Sequence, residues 1–73
     1  MSLTGAEIDT LYKLGKYGSQ EDGDLPSKSG MYGLVAKGFA KQDYRFDKSN
    51  HITHLGIERY NRIFGGKDDI WIR

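Results

Sequence analysis

The sequence predicts a small α+β domain made of three helices and one two-stranded antiparallel hairpin. Three observations predict this class. Three segments place apolar residues at helical spacing, and each follows a Ser or Thr at the position of a helix N-cap. Between the second and third of these segments, two shorter runs flank a polar turn, which is typical of a β-hairpin. At 73 residues, the chain is long enough for one domain with a small core.

The first helix is predicted over residues 4–17. Thr4 and Glu7 have the spacing of a capping box, in which the side chain of each accepts the backbone amide of the other. The apolar residues of this helix share one face: Ile8, Leu11, Tyr12 and Leu14. Residues 18–25 follow as an acidic turn that is too short and too rich in breakers for another full helix.

The second helix is predicted over residues 28–37. Pro26 favours an extended residue before it, Ser27 has the position of an N-cap, and Gly38 that of a left-handed stop. The apolar residues of this helix are expected to pack on the first helix: Met31, Leu34 and Val35. Two glycines inside the helix cost roughly 1 kcal/mol each against alanine, so the helix depends on packing.

The hairpin and the third helix complete the predicted fold. Residues 39–46 and 51–53 are predicted strands around a turn at 47–50. The hairpin tip is expected to carry Arg45, Lys48, Asn50 and His51. Thr53 is the predicted cap of a helix over 54–64, which a glycine pair ends. The core is expected to be completed by Phe39, Ile52, Ile57 and Tyr60.

Composition limits the chemistry available to this chain. It has no cysteine, which excludes disulfides, thiolate nucleophiles and cysteine-ligated zinc, and a cytoplasmic protein is expected. No apolar run approaches the roughly 20 residues of a membrane span, and no signal peptide is predicted. Net charge is +1, yet residues 26–56 carry five lysines or arginines against two aspartates. This balance permits an anionic partner, while a solvated mixed-charge surface stays an open alternative.

Two glycine motifs resemble phosphate or nucleic-acid loops without meeting their other requirements. Gly33 and Gly38 have the gap of a Walker loop, but Phe39 and Ala40 stand where that motif needs Lys and Ser or Thr. A clamp on single-stranded nucleic acid at residues 30–33 would need a helix on each side, whereas one predicted helix spans it. Neither motif is therefore taken as a binding loop.

No catalytic or metal site is predicted. His51 and His54 lack a third ligand of fixed spacing, and Ser27 beside Lys28 is better explained as a helix cap than as a nucleophile. The acidic cluster at residues 21–24 lacks the bidentate glutamate of a calcium loop. The sequence therefore predicts no enzyme and no cofactor.

The order of elements, with the segments SKSGMYGLVAKGFAK and HITHLGIERYNRI, resembles the winged helix-turn-helix family. The first segment is similar to a recognition helix that ends in Leu-x-x-x-Gly and enters the wing. The second is similar to the closing strand and the helix after it. The resemblance covers about residues 3–64 and implies a reduced winged helix. The length and the Asp-Gly-Asp-x-Pro-Ser-Lys-x-Gly pattern are also similar to small uncharacterised phage and prophage proteins.

The resemblance implies a small DNA-binding protein that regulates transcription, with helix 28–37 and hairpin 40–53 on duplex DNA. A helix N-terminus offers free amides and a dipole that favour a phosphate. The implied DNA contacts are Ser27, Lys28 and Ser29 at that terminus, Tyr32 and Lys37 on the outward helix face, and Lys41, Arg45, Lys48 and His51 along the wing. Most of these contacts would position the protein rather than read the base sequence.

A protein-interaction module of the same fold is the alternative. The outward face of helix 28–37 is poor in the Arg, Asn and Gln side chains that read base edges. The predicted domain spans residues 1–66, and the tail 67–73 carries three large apolar residues: Ile70, Trp71 and Ile72. This tail is suited to a protein partner or to a second copy in a homodimer, and equally to covering the domain's own core.

Overall fold

The computed structural model describes residues 2–65, which form three helices and one two-stranded antiparallel sheet. The elements follow in the order α1 (Gly5–Tyr17), α2 (Lys28–Ala36), β1 (Ala40–Gln42), β2 (Asn50–Ile52) and α3 (His54–Phe64). A short 3-10 turn, Asp22–Asp24, lies between α1 and α2. This arrangement confirms the predicted α+β class and is consistent with a reduced winged-helix layout.

The predicted tail 67–73, with Ile70, Trp71 and Ile72, lies outside the described residues. Its separation from the domain at residue 66 therefore stays a prediction. Within residues 2–65, no helix is both long enough and apolar enough to cross a membrane.

The capping signals predicted for α1 and α3 are confirmed. The Thr4 hydroxyl accepts the Glu7 amide at 3.2 Å, and the Glu7 carboxylate accepts the Thr4 amide at 2.8 Å. At the start of α3, the Thr53 hydroxyl accepts the amide of Gly56 at 3.0 Å. Gly65 ends α3 with a φ of 79°, a left-handed conformation that glycine adopts without steric cost. Each signal involves residues within a single helical turn.

Helix α2 ends in a Schellman motif that also removes Phe39 from the predicted strand. Gly38 has a φ of 85°, and its amide donates to the Val35 carbonyl at 3.0 Å. The Phe39 amide donates to the Leu34 carbonyl at 2.9 Å, and both side chains are buried. The Phe39 amide is thus committed to the helix end, and β1 begins one residue later at Ala40.

The hairpin is shorter than predicted because its loop folds on itself. Strand β1 ends at Gln42 instead of residue 46. The Asp43 carboxylate accepts the Arg45 amide at 3.1 Å, and the Asp43 carbonyl accepts the Phe46 amide at 3.4 Å. These local bonds turn the chain away from the ladder. Residues 43–49 therefore form one loop, in place of the four-residue turn that was predicted.

Asn50 is buried inside the sheet, and its predicted place at the hairpin tip is wrong. It starts β2, is 0% exposed, and forms an isolated antiparallel bridge with Gln20, their backbone amides and carbonyls bonding in both directions at 3.0 Å. Its side-chain amide donates to Asp22 Oδ1 at 2.7 Å and to the Gln20 carbonyl at 3.1 Å. The segment between α1 and α2 therefore bonds to β2 on the side away from β1, through Gln20 and Asp22.

The core contains most of the predicted apolar residues. The buried cluster comprises Leu11, Leu14, Met31, Leu34, Phe39, Ala40 and Tyr60. Ile52 and Ile57 are half-buried. Val35 is 38% exposed, so its predicted place against α1 is wrong.

Two glycines explain how α2 is rotated against α1. A Cβ on Gly30 would strike the Ala6 carbonyl oxygen, and a Cβ on Gly33 would strike the Glu7 carboxylate. The glycine side of α2 therefore lies against the first turn of α1, which allows a close approach of the two backbones. Val35 is turned away as a consequence.

Candidate nucleic-acid interface

The hairpin divides the predicted DNA-contacting residues between its two faces. Lys41 and His51 are register partners and project from one face of the sheet. Gln42 and Asn50, the adjacent pair, project from the opposite face, where they bond each other at 3.0 Å. The residues near α2 and those along the wing therefore do not form one continuous surface.

One face carries a groove of 540 Å³, which we call the basic groove. It lies between the end of α1, the hairpin and α3, and its lining comprises Leu14, Tyr17, Gly18, Ser19, Lys41, Lys48, His51, Ile52 and Ile57. No carboxylate is among these lining residues. An adjoining hollow of 260 Å³ shares Lys41 and His51 with the groove and adds Asp43 and Phe46.

His51 was predicted to be an exposed residue of the wing, but it is half-buried in the wall of the basic groove. Its Nδ1 lies 2.7 Å from the Ser19 hydroxyl, and its ring contacts Phe46 edge-on at a centroid distance of 5.8 Å. Its Nε2 is buried and has no hydrogen-bond partner within residues 2–65. The hydrogen bond with Ser19 therefore fixes the orientation of the His51 ring, while Nε2 could still form a hydrogen bond with a ligand.

Cations surround the basic groove. Lys41 and Lys48 are exposed at its lining. At the end of α1, the Nζ atoms of Lys13 and Lys16 lie 5.6 Å and 5.8 Å from the centroid of the Tyr17 ring, which itself lines the groove. Positive side chains from α1 and from the hairpin therefore converge on one surface.

Arg45, a predicted DNA contact, forms a forked ion pair within its own loop. Its Nε and Nη2 donate to the two oxygens of Asp43 at 2.9 Å and 2.6 Å. The hydrogen bonds from Arg45 hold the pKa of the Asp43 carboxyl below its usual value. The Arg45 side chain is exposed, so solvent screens this pair and it adds little to stability.

The α2 side presents a different surface. The Ser27 hydroxyl caps the Gly30 amide at 2.9 Å and lies 3.1 Å from the Ser29 hydroxyl. Tyr32 is exposed, as predicted for the outward face of the helix, and Lys28 and Ser29 are exposed as well. A hollow of 60 Å³ on this side is lined by Asp22, Leu25, Lys28, Met31, Tyr32, Gln42 and Tyr44. It shares no residue with the basic groove, and the Asp22 carboxylate, which lines the same hollow as Lys28, reduces its positive potential.

Lys37 was predicted to extend outward from the helix. This prediction is wrong, because its side chain is paired with Glu7 of α1. Its Nζ donates to Glu7 Oε1 at 2.6 Å and to the Ser2 carbonyl at 3.1 Å. This hydrogen bond is the main reason that the pKa of the Glu7 carboxyl is lowered, with the Thr4 amide adding to it. A lysine held in this way connects α2 to α1 and is poorly placed to contact DNA.

Tyr17, Ser19 and Phe46 belong to this surface but were not among the predicted site residues. A weak signal was present in the sequence, since Tyr17 follows Lys16 and Phe46 follows Arg45. Their convergence depends on the contact of His51 with both Ser19 and Phe46, which brings together segments about thirty residues apart. Within residues 2–65, no three side chains of the His, Cys, Asp or Glu types cluster in a way that could hold a metal ion.

Comparison of the chain with known protein families, with curated proteins and with solved structures finds no match.

Proposed function

We propose that this protein binds DNA through the basic groove. The observation that carries the proposal is the concentration of Lys41, Lys48 and His51 in one groove whose lining includes no carboxylate. The chain as a whole has a net charge of only +1. Positive charge gathered on one face of a nearly neutral protein favours a polyanionic partner at that face.

The lysines of the groove are suited to phosphates. Lys41 lies on β1 and Lys48 in the hairpin loop, both exposed, and each can neutralise one backbone phosphate. Such contacts hold the nucleic acid in place without reading its base sequence. The amides at the start of α2 provide a weaker second contact, because Asp22 lines the same hollow as Lys28.

The resemblance to winged helices supports a regulatory role for this binding, in a small protein of phage type. The two-stranded hairpin and the three helices agree with that layout. The basic groove would then represent the part of the protein that holds the DNA backbone, while sequence selection would depend on further contacts.

The test is binding to a fluorescently labelled random-sequence duplex, followed by anisotropy at about 50 mM and about 200 mM salt. We expect micromolar binding at the lower salt that weakens sharply at the higher salt. Lys41→Glu should abolish most of the binding. Arg62→Glu makes the same charge change on an exposed α3 residue that does not line the groove, and it should have little effect.

Two outcomes would contradict the proposal. Absence of binding to the duplex at low salt would remove the case for duplex DNA, and absence of binding to any form of DNA would favour a protein-interaction module. Equal losses in Lys41→Glu and Arg62→Glu would show that the affinity follows net charge and not the basic groove.

A further inference from the structure

Two aromatic rings at the basic groove are largely exposed to water. Tyr17 lines the groove, and Phe46 lines the adjoining hollow; each is 59% exposed. Phe46 contacts the ring of His51 and lies on the loop 43–49. A phenylalanine with this exposure forgoes most of the stabilisation that burial of its ring would provide. Much of the Phe46 ring is therefore accessible to a ligand.

Positively charged side chains lie close to both rings. The Lys13 and Lys16 ammonium groups lie within 6 Å of the Tyr17 centroid, at 5.6 Å and 5.8 Å. The Arg45 guanidinium carbon lies 5.9 Å from the Phe46 centroid, but this guanidinium is paired with Asp43, which lines the same hollow. The unpaired positive charge at that hollow is therefore supplied by Lys41. Exposed rings next to positive groups are the combination that binds single-stranded nucleic acid, since bases stack on the rings and phosphates pair with the cations.

The two rings belong to one continuous surface. Lys41 and His51 line both the basic groove and the hollow that contains Phe46. The volumes of 540 Å³ and 260 Å³ are of the order that holds small organic groups. A strand with one base on Phe46 and another on Tyr17 would run past Lys41, which lines both the groove and the hollow, and near Lys48, which lines the basic groove.

A DNA duplex offers no base face to such rings, because its bases are stacked on one another. We propose that the preferred ligand of the basic groove is single-stranded DNA, with unpaired bases stacked on Phe46 and Tyr17. This inference rests on the proposed DNA binding and specifies its substrate. Duplex DNA is held by its phosphates alone, whereas a single strand adds base stacking at the same cations.

The test compares a labelled oligothymidine of about 12 nucleotides with a duplex of the same length, by anisotropy at low salt. We expect the wild type to bind the single strand at least about tenfold more tightly. Phe46→Leu keeps an apolar side chain but removes the aromatic face. It should weaken single-strand binding by about fivefold or more and leave duplex binding within about twofold.

Tyr44→Leu is the matched control. Tyr44 is also an exposed aromatic residue of loop 43–49, but it lies in the hollow on the α2 side of the hairpin. Its loss should leave both affinities unchanged. Thermal unfolding followed by circular dichroism should give similar midpoints for all three proteins, because both substituted rings are mostly in water.

The outcomes separate this inference from the proposed function. Equal affinity for both DNA forms, or single-strand binding that Phe46→Leu and Tyr44→Leu affect alike, would overturn the single-strand inference and leave DNA binding intact. Failure to bind either form would overturn both.

Discussion

The ammonium group of Lys37 donates a hydrogen bond to Glu7 Oε1 over 2.6 Å, joining the end of α2 to the first turn of α1. The same carboxylate oxygen accepts the Thr4 amide at 2.8 Å and so completes the capping box. The Glu7 side chain is only 7% exposed. One buried carboxylate therefore caps one helix and anchors another.

Lys37→Met is expected to lower the free energy of unfolding by about 1–3 kcal/mol at neutral pH, because it leaves the Glu7 carboxylate buried without its cation. Lys28→Met, which replaces an exposed lysine at the start of α2, should change the free energy of unfolding by less than about 0.5 kcal/mol. Urea unfolding of both variants and the wild type provides the measurement.

The cost of Lys37→Met should also depend on pH. The pKa of Glu7 is lowered in the folded protein, mainly by Lys37, so its contribution to stability is present above the pKa of the unfolded chain. That contribution is lost as pH falls through the lowered folded pKa. The difference in stability between wild type and Lys37→Met should therefore be widest near neutral pH. It should narrow as the pH falls below 4.5, the ordinary value for glutamate, toward the lowered pKa of Glu7. A gap that is constant with pH would show that Lys37 acts by packing alone.

Gly30→Ala should destabilise the protein although alanine is the better helix former. The intrinsic preference favours alanine by roughly 1 kcal/mol. At this position, however, the new methyl group would meet the Ala6 carbonyl, which cannot move aside without shifting α1. We expect a net loss of about 1–3 kcal/mol in the free energy of unfolding.

Gly5→Ala is the control for this prediction. Nothing lies within 4 Å of the position that its Cβ would take, so the substitution should be neutral or stabilising. Thermal unfolding of the two variants checks the difference, and a stabilised Gly30→Ala would mean that the helices are not in close contact there.

Asn50→Asp should destabilise the fold more than Asn50→Ala at neutral pH. Either change removes the amide that donates to Asp22 and to the Gln20 carbonyl, a loss of about 1–3 kcal/mol at a fully buried position. The aspartate also places a second carboxylate next to Asp22. Like-charge repulsion raises the pKa of such a pair, so the added penalty should fade as pH is lowered toward 4. Unfolding at both pH values tests this, and a pH-independent difference would contradict it.

Lys41→Ala should reduce the slope of log affinity for duplex DNA against log salt by about one, the value for one lost phosphate contact. Lys28→Ala should reduce this slope by less, because the Asp22 carboxylate lines the same hollow as Lys28. Anisotropy titrations at four or so salt concentrations give both slopes. A larger reduction for Lys28→Ala would place the main DNA contact on α2.

Much of the secondary structure was predictable from the sequence because its signals are local. The capping box at Thr4, the Thr53 cap and the Gly38 stop each involve residues within about one helical turn, so each could be recognised without knowing the fold. The predicted helices consequently agree with the structure to within one residue at each end. The strand ends were less predictable, since the Asp43 loop competes with the ladder through bonds that the apolar pattern does not show.

The candidate site was predictable only in part. Lys41, Lys48 and His51 do line one groove, whereas Lys28, Ser29 and Tyr32 lie across the hairpin from it. Strand alternation assigns Lys41 and His51 to the same face only once the register is known, and the register was not evident from the sequence.

The sequence by itself determined where the helices begin and end, the α+β class and most of the apolar core, because these depend on neighbouring residues and on periodicity. Only the tertiary structure decided that Lys37 pairs with Glu7, that Val35 turns outward, and that Asn50 is buried against Gln20. Each of these outcomes depends on how two distant segments are rotated and how closely they approach. A contact between residues thirty positions apart has no local signature, and such contacts place Tyr17 and Phe46 on the same surface as the lysines.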